Sequence, residues 1–489
     1  MKDYLSLSIF ELHEALIKKE VNPLDLVTLA LAKIKSDDNN AVEYICEKEA
    51  LLMAKKLEQE EPEINNIFWG IPYAIKDNFS TKDILTTASS RLLADYVPVF
   101  SSEVYERLNK AKAILIAKAT LDELAMGGTG SSGHKGQTFN PWDKSHTRMI
   151  GGSSCGSASL VAGGLVPFSI GSDTGDSVRK PASYGGLVGF KPTWGLISRY
   201  GLFPFATSLD TVAYFTRNVT DSAYLLNLLA GHDPKDMTSA KRQAINYVDK
   251  LHNKQSYVLT VIDEIVETIS DHYIKNTFIN HLHLLEQQGF VVKHVSIDQK
   301  LLKAINPTYY IISSAEATSN NANLDGIKFG MYQEGKTYEE MLFKVRSLGF
   351  SDRIKRRFVI GGLALLEENQ QEIYLRAARS RHLIVNAFKR VLNECDAIIL
   401  PASPTVAKPF NEKIPTKSFD KSSSIAENYL SFGNLGGFPS ITIPLGFKDN
   451  LPFGVNITGD IFTDEKVLGI AKAVEDMTGL KDLIAGETR

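Results

Sequence analysis

The chain has 489 residues, 43% of them hydrophobic and 23% charged, which is enough apolar material for a large core and excludes a wholly disordered protein. Its 54 Lys+Arg stand against 57 Asp+Glu, a formal charge of -3, so no global basic excess points to DNA or to an anionic membrane, and any RNA contact is expected to be local or made by a partner. Three scattered cysteines, Cys46, Cys155 and Cys395, do not make a disulfide framework or a cysteine-rich metal site, which fits a reducing compartment.

The opening MKDYLSLSIF carries charge at once and does not read as a secretory signal, and no apolar stretch approaches the roughly 20 residues that cross a bilayer. A cytoplasmic protein is expected. From Ser6 to about Lys35 the apolar positions Ile9, Leu12, Leu16, Leu26 and Leu29 predict two amphipathic helices broken near Asn22 and Pro23. IPYAI (71–75) and AILIA (113–117) are short apolar runs bounded by turn residues, the pattern of buried strands. Between 127 and 201 glycine and serine crowd in, but they alternate with runs such as LVAGGLVPFSI, so the backbone is expected to pack closely on itself. DSAYLLNLLAG (221–231) predicts a helix closed by glycine. SYVLTVI, a helix over Tyr273 to Gln288, and the strand candidate FVVKHVSI follow; 240–370 reads as a possible inserted or peripheral subdomain. Helical periodicity returns over Ile312 to Asn323 and Glu367 to Asn393, and DAIILP (396–401), SITIPL (440–445) and GVNITGD (454–460) read as strands. Strands separated by helix-length segments from end to end argue for an α/β fold with one large sheet covered on both faces.

Three segments carry the chemistry. Lys76 closes the apolar run IPYAI, where a strand gives way to a loop; from position alone it reads first as a surface lysine beside a strand and only second as a site residue. GGSSCGSAS (151–159) places glycines and hydroxyls at a helix start, whose free N–H groups suit an anion or a developing oxyanion. A phosphate loop competes, but GxxxxGK[ST] is absent. GSDTGDS (171–177) would form a tight turn ending in Ser177, either a plain serine-capped turn or an exposed nucleophile beside oxyanion donors. His134 and His146 lie among polar residues and read as surface groups, so a Ser177 nucleophile needs a lysine base. Such a lysine must be buried, since desolvation lowers its pKa from about 10.4 toward the working range.

Together, IPYAIKDN and the run from GGSSCGSAS through YGGLVGFKPTWGLISRYG resemble the amidase signature family. DELAMG (122–127), NPWD (140–143), YYIISSAEATSNNANLDGIKFG (309–330) and KRRFVIGG (355–362) are similar to the glutaminase subunits of tRNA-dependent amidotransferases within it. The resemblance implies the amidase signature fold over residues 1–489: a helical segment 1–65, a signature core 71–216 and a completion of the core by 371–489. It implies a triad of Lys76, Ser153 in a cis peptide, and Ser177. Oxyanion donors would be the N–H groups of Thr174, Gly175, Asp176 and Ser177. Tyr309, Arg357 and Glu427 would hold free glutamine, an assignment that suits an α-carboxylate facing a guanidinium.

The resemblance also implies partners, the B and C subunits of a heterotrimer. The B subunit would bring ATP and Mg²⁺ and handle misacylated tRNA, the small C subunit would wrap this chain, and no cofactor or metal would be bound here. Against the family pattern, Asp176 replaces a glycine, Cys155 replaces a glycine, Lys180 stands where glutamine is common, and Glu427 replaces an aspartate. Cys155 reads as a small packed residue rather than a nucleophile. A free-standing small-molecule amidase and an assembly component disabled by Asp176 are the competing readings.

Overall fold

The computed structural model describes residues 3–252, 256–411 and 423–486. The expected break near Pro23 separates helices Ile9–Ile17 and Pro23–Ser36: Asn22 caps the second helix through Asp25 N–H, and Pro23 occupies a first-turn position where its missing N–H costs nothing. Among the described residues the strands are β1 (Val42–Ile45), β2 (Pro72–Lys76), β3 (Ile114–Ala119), β4 (Ser169–Asp173), β5 (Val188–Lys191), β6 (Thr211–Thr216), β7 (Val258–Ile262), β8 (Val291–Val295), β9 (Ala397–Pro401), β10 (Ser440–Lys448) and β11 (Leu451–Thr458). They form one sheet in the order β1-β3-β2-β4-β6-β5-β10-β11-β9-β7-β8. It is mixed: β2 runs parallel to both β3 and β4, and β7 parallel to β8 and β9, while β4–β6–β5–β10–β11–β9 are joined antiparallel. Every residue of β2, β3, β4 and β6 is buried, as strands covered on both faces must be. The α/β class with a large mixed sheet flanked by helices is therefore what the chain adopts.

Two consequences position the site. Because β2 and β4 are parallel neighbours, their C-terminal ends open side by side, which brings Lys76 next to Ser172 and the turn that follows Asp173. On the other side, helices Gln299–Asn320 and Asp352–Leu365 pack so closely that a Cβ on Gly361 would stand 2.1 Å from the Ser314 carbonyl oxygen and 2.2 Å from Thr318 Oγ1. The first of these helices starts well before Ile312, since a proline at 307 is tolerated within it. No described helix is long and apolar enough to cross a membrane.

The neighbouring glycines give an internal control. Gly361→Ala should cost about 1–3 kcal/mol through overpacking. Gly362→Ala, whose added methyl meets nothing within 4 Å, should be neutral or stabilise by up to about 1 kcal/mol through helix propensity. Urea denaturation midpoints of the two variants check the opposite signs.

Candidate active site

Lys76 ends β2 with its side chain fully buried. Its Nζ lies 2.8 Å from Ser153 Oγ, 2.9 Å from Ser172 Oγ and 3.4 Å from the Ser172 carbonyl oxygen. Burial dominates and drops its pKa to about 7, against smaller opposing effects of Cys155, Asp122, Asp173 and Asp210. Ser153 follows a cis peptide bond from Gly152. Its carbonyl accepts from Asp122 N–H at 3.1 Å. The next residue, Ser154, donates its N–H to the Ser177 carbonyl at 3.2 Å and its hydroxyl to the Ser172 carbonyl at 3.1 Å, tying the cis-peptide loop to the turn on β4. Ser177 is buried, 3% exposed.

The turn itself is clamped from below. The Arg179 guanidinium makes a two-pronged pair with Asp173, 3.1 Å from Nε to Oδ2 and 2.9 Å from Nη2 to Oδ1, and also donates to the Gly175 carbonyl at 2.6 Å and to Asn434 Oδ1 at 2.6 Å. Asn434 returns a bond from Nδ2 to the Asp173 carbonyl at 2.9 Å, and Val178 N–H closes on Asp173 Oδ2. These contacts hold the Asp173 carboxyl below its ordinary range although it is buried. The Thr174 hydroxyl donates to Asp210 Oδ1 at 2.7 Å. Among the described residues no hydrogen bond uses the N–H groups of Gly175, Asp176 or Ser177, so the turn presents free donors.

Tyr309 and Arg357 come from the two closely packed helices. A Cβ on Gly175 would meet Tyr309 Cζ at 2.8 Å and its hydroxyl at 3.0 Å, which places the phenol directly on the turn. Arg357 is 8% exposed and is held by neutral groups: Nη1 donates to Ser313 Oγ at 3.1 Å, and the guanidinium lies over the Tyr310 ring at 4.4 Å and the Phe205 ring at 5.1 Å. Among the described residues no carboxylate pairs with it. Its charge is therefore available to a ligand.

Glu427 is engaged differently. Its carboxylate pairs with Lys408 and, at 3.8 Å, with Lys180, and those cations keep its carboxyl below the usual range. Lys180 in turn pairs with Asp176 Oδ2 at 2.8 Å. The Asp176 carboxylate in the turn is thus occupied by Lys180. Cys155 sits buried at the start of helix Cys155–Ala162, with burial raising its thiol to about 12, so it is a packed and unreactive residue. His134 and His146 are turned to Glu43 and Asp38 and touch none of these groups. No cluster of His, Cys, Asp or Glu among the described residues could hold a metal.

Sequence reasoning missed Ser172, Asn78 and Asp122. Ser172 supplies two of the three oxygens around Lys76 Nζ, and Asn78 Nδ2 donates to Ser172 Oγ at 3.2 Å. The signal was available in principle, because Ser172 lies in the quoted turn motif and Asn78 two residues after Lys76, but only the β2–β4 pairing brings them together.

Comparison with known proteins places the chain in a family. A family model described as Amidase matches residues 25–468. The A subunit of glutamyl-tRNA(Gln) amidotransferase from Streptococcus sanguinis is 37% identical over 476 residues, 96% of each chain. The protein of the same name from Sulfurihydrogenibium sp. is 39% identical over 472 residues, 95% of this chain and 96% of the relative. The crystal structure of the glutamyl-tRNA(Gln) amidotransferase A subunit from Thermotoga maritima superposes with a TM-score of 0.78 at 35% identity, covering 97% of this chain and 96% of the other. With the family model spanning most of its length and relatives this similar end to end, the chain belongs to the amidase family.

Proposed function

We propose that this chain is the glutaminase subunit of a tRNA-dependent amidotransferase, with Lys76 as base, Ser153 as proton relay and Ser177 as nucleophile. One observation carries the chemistry: a lysine amine with a pKa of about 7, 2.8 Å from Ser153 Oγ, beside a turn of free N–H groups that ends in Ser177. The kinship with amidotransferase A subunits supports the biological setting.

Glutamine enters with its α-carboxylate on Arg357 and its side-chain amide over Ser177, the Tyr309 hydroxyl bordering it at Gly175. Glu427 meets the substrate ammonium by exchanging it for one of its two lysines. Neutral Lys76 accepts the Ser153 proton as Ser153 takes the proton of Ser177, and Ser177 Oγ bonds to the amide carbon. The N–H groups of Thr174, Gly175, Asp176 and Ser177 hold the oxyanion. When the C–N bond breaks, the proton returns along the same path, giving ammonia and a glutamyl ester on Ser177. Water repeats the sequence and releases glutamate.

The ammonia is used by the partner B subunit, which activates the glutamyl group of Glu-tRNA(Gln), or the aspartyl group of Asp-tRNA(Asn), with ATP and Mg²⁺. The small C subunit completes the heterotrimer. No step on this chain runs through the nucleotide or the metal. The near-neutral charge agrees with the tRNA being held elsewhere, and the work belongs in the cytoplasm, where tRNA is charged.

Three measurements test this reading. kcat/KM for glutamine should rise with pH through about 7 and then level off, because below that value Lys76 carries its proton and cannot act as a base. Lys76→Ala should remove the rise along with roughly 10²–10⁴-fold in rate; a flat profile from about pH 5.5 to about pH 8.5 defeats the lysine base. In the purified heterotrimer, Ser177→Ala should abolish glutamine-dependent amidation of tRNA and spare the ammonia-dependent reaction, and equal loss of both would remove the glutaminase role. Arg357→Ala should raise KM for glutamine by about 10- to 100-fold, the worth of a charge-assisted pair; an unchanged KM would favour a free-standing amidase acting on another amide.

A further inference from the structure

Asp122 takes no part in the proton path, yet it touches the loop on which that path depends. It is buried three residues beyond β3. Its Oδ2 accepts from Thr129 N–H at 3.1 Å and Gly130 N–H at 2.9 Å, and its Oδ1 from Ser131 N–H at 3.1 Å, Ser132 N–H at 3.1 Å and the Ser132 hydroxyl at 2.7 Å. One carboxylate thus gathers four consecutive backbone donors and a hydroxyl into a collar. On its inner side the collar faces the Gly152–Ser153 peptide. A Cβ on Gly152 would lie 2.1 Å from Asp122 Oδ2, 2.8 Å from Gly130 N and 2.9 Å from Thr129 N, so that peptide rests on the collar with no room for a methyl group. Asp122 N–H also donates to the Ser153 carbonyl at 3.1 Å.

We propose that Asp122 is a positioning residue for the relay serine: its N–H and the collar on its carboxylate fix the Gly152–Ser153 peptide so that the Ser153 hydroxyl faces Lys76. The inference rests on the reading of Ser153 as the relay. The hydroxyl is a short side chain with one rotatable bond, so its distance to Nζ is set by where the peptide unit is held, and a small displacement of the peptide breaks the 2.8 Å contact. The same carboxylate contributes charge to the site. Of the ionisable groups around Lys76, the Cys155 thiol, on the helix after Ser154, is raised to about 12 and is uncharged where Lys76 titrates, while Asp122, Asp173 from β4 and Asp210 from the loop before β6 favour the protonated amine. Removing the Asp122 charge therefore leaves the amine neutral at still lower pH.

The test is steady-state glutamine hydrolysis by the intact heterotrimer. Asp122→Asn keeps the shape, removes the charge, and turns one acceptor into a donor against the collar N–H groups. It should lower kcat at least tenfold, move KM for glutamine less than threefold, and shift the acid limb of the kcat profile to lower pH. A residue that only held the fold together would lower the melting temperature and leave kcat of the folded enzyme at the wild-type value, and that result overturns the proposal. Ser132→Ala, which removes one collar donor and leaves the charge, should lower kcat at least twofold with the limb unmoved; this variant decides the matter if Asp122→Asn does not fold, and a wild-type kcat counts against the collar. Ser153→Ala run in parallel separates the two levels of argument: full activity there sinks the relay itself, whereas an inactive Ser153→Ala beside a wild-type Asp122→Asn sinks only the positioning role.

Discussion

A lysine amine kept out of water among neutral oxygens is the constraint from which the chemistry of this site follows. A charged ammonium moved into such surroundings costs several kcal/mol unless it is paired, and the amine avoids that cost by giving up its proton near pH 7. Two other buried lysines show that burial alone does not make a base. Lys118, on the neighbouring strand β3, also has its pKa pushed down by burial, but its Nζ is ringed by the Phe79 carbonyl at 2.9 Å, Thr86 Oγ1 at 2.7 Å, Thr81 Oγ1 at 3.1 Å and the Asp77 carboxylate at 3.4 Å, and it stitches the loop after β2 away from the turn. Lys191 also has a pKa of about 7, but its Nζ meets the Pro192 carbonyl, which has no proton to give. Lys76 alone of the three combines a pKa of about 7 with a hydroxyl at 2.8 Å on a loop joined to a turn of free donors.

The turn shows how a charge can stand beside an oxyanion site without opposing it. Its geometry is set by the buried Asp173–Arg179–Asn434 unit, in which every charge has a directed partner. Asp176 adds a carboxylate to that turn, and Lys180, one helical step along, takes it up at 2.8 Å while Glu427 and Lys408 extend the alternation outward. The negative charge is thereby held on the side of helix Arg179–Gly185, and the backbone N–H groups stay free. Asp176, Lys180, Glu427 and Lys408 form one ion-paired chain in space.

How much of this was legible in the sequence depends on what kind of information each residue carries. Strands that are continuous apolar runs, such as β2, β3 and β9, can be read directly, and so can the helix pair broken at Pro23. β1, only four residues long with a single buried position, and β6, whose TVAYFT runs almost straight into a helix cap, escape such a reading. Lys76 and Ser177, read from the residues alone, look like a surface lysine and a capped turn, because burial is a property of the fold and not of the local sequence; only the ordered resemblance assigns them roles. Ser172, Asn78 and Asp122 lie within the quoted motifs, but their residue types alone assign them no role. Each is an ordinary polar residue whose importance arises from strand pairing or from a loop folding back on it. Glu427 is the reverse case: its residue type suggests a free carboxylate, whereas two lysines already satisfy it.

The site is assembled from two halves that the chain makes separately. The half with the Lys76 amine and the turn to Ser177 lies at the C-terminal ends of β2 and β4, with the Ser153 loop beside it, and these loops are pinned by buried carboxylates. The half with Tyr309 and Arg357 lies on two helices, and its cation is stored among serines and aromatic rings rather than committed to a carboxylate. A guanidinium so held is poorly hydrated, so an incoming α-carboxylate gains a full charge-assisted pair without displacing an internal one. The halves meet where the Tyr309 phenol lies against Gly175, at a separation that a single methyl group would close to 2.8 Å. A ligand that shifts Tyr309 therefore presses on the turn that carries the free N–H groups. Under the proposed function, recognition of the amino-acid end and stabilisation of charge at the amide end would be joined there by direct contact, so an amide lacking the carboxylate would forgo part of the positioning as well as the binding.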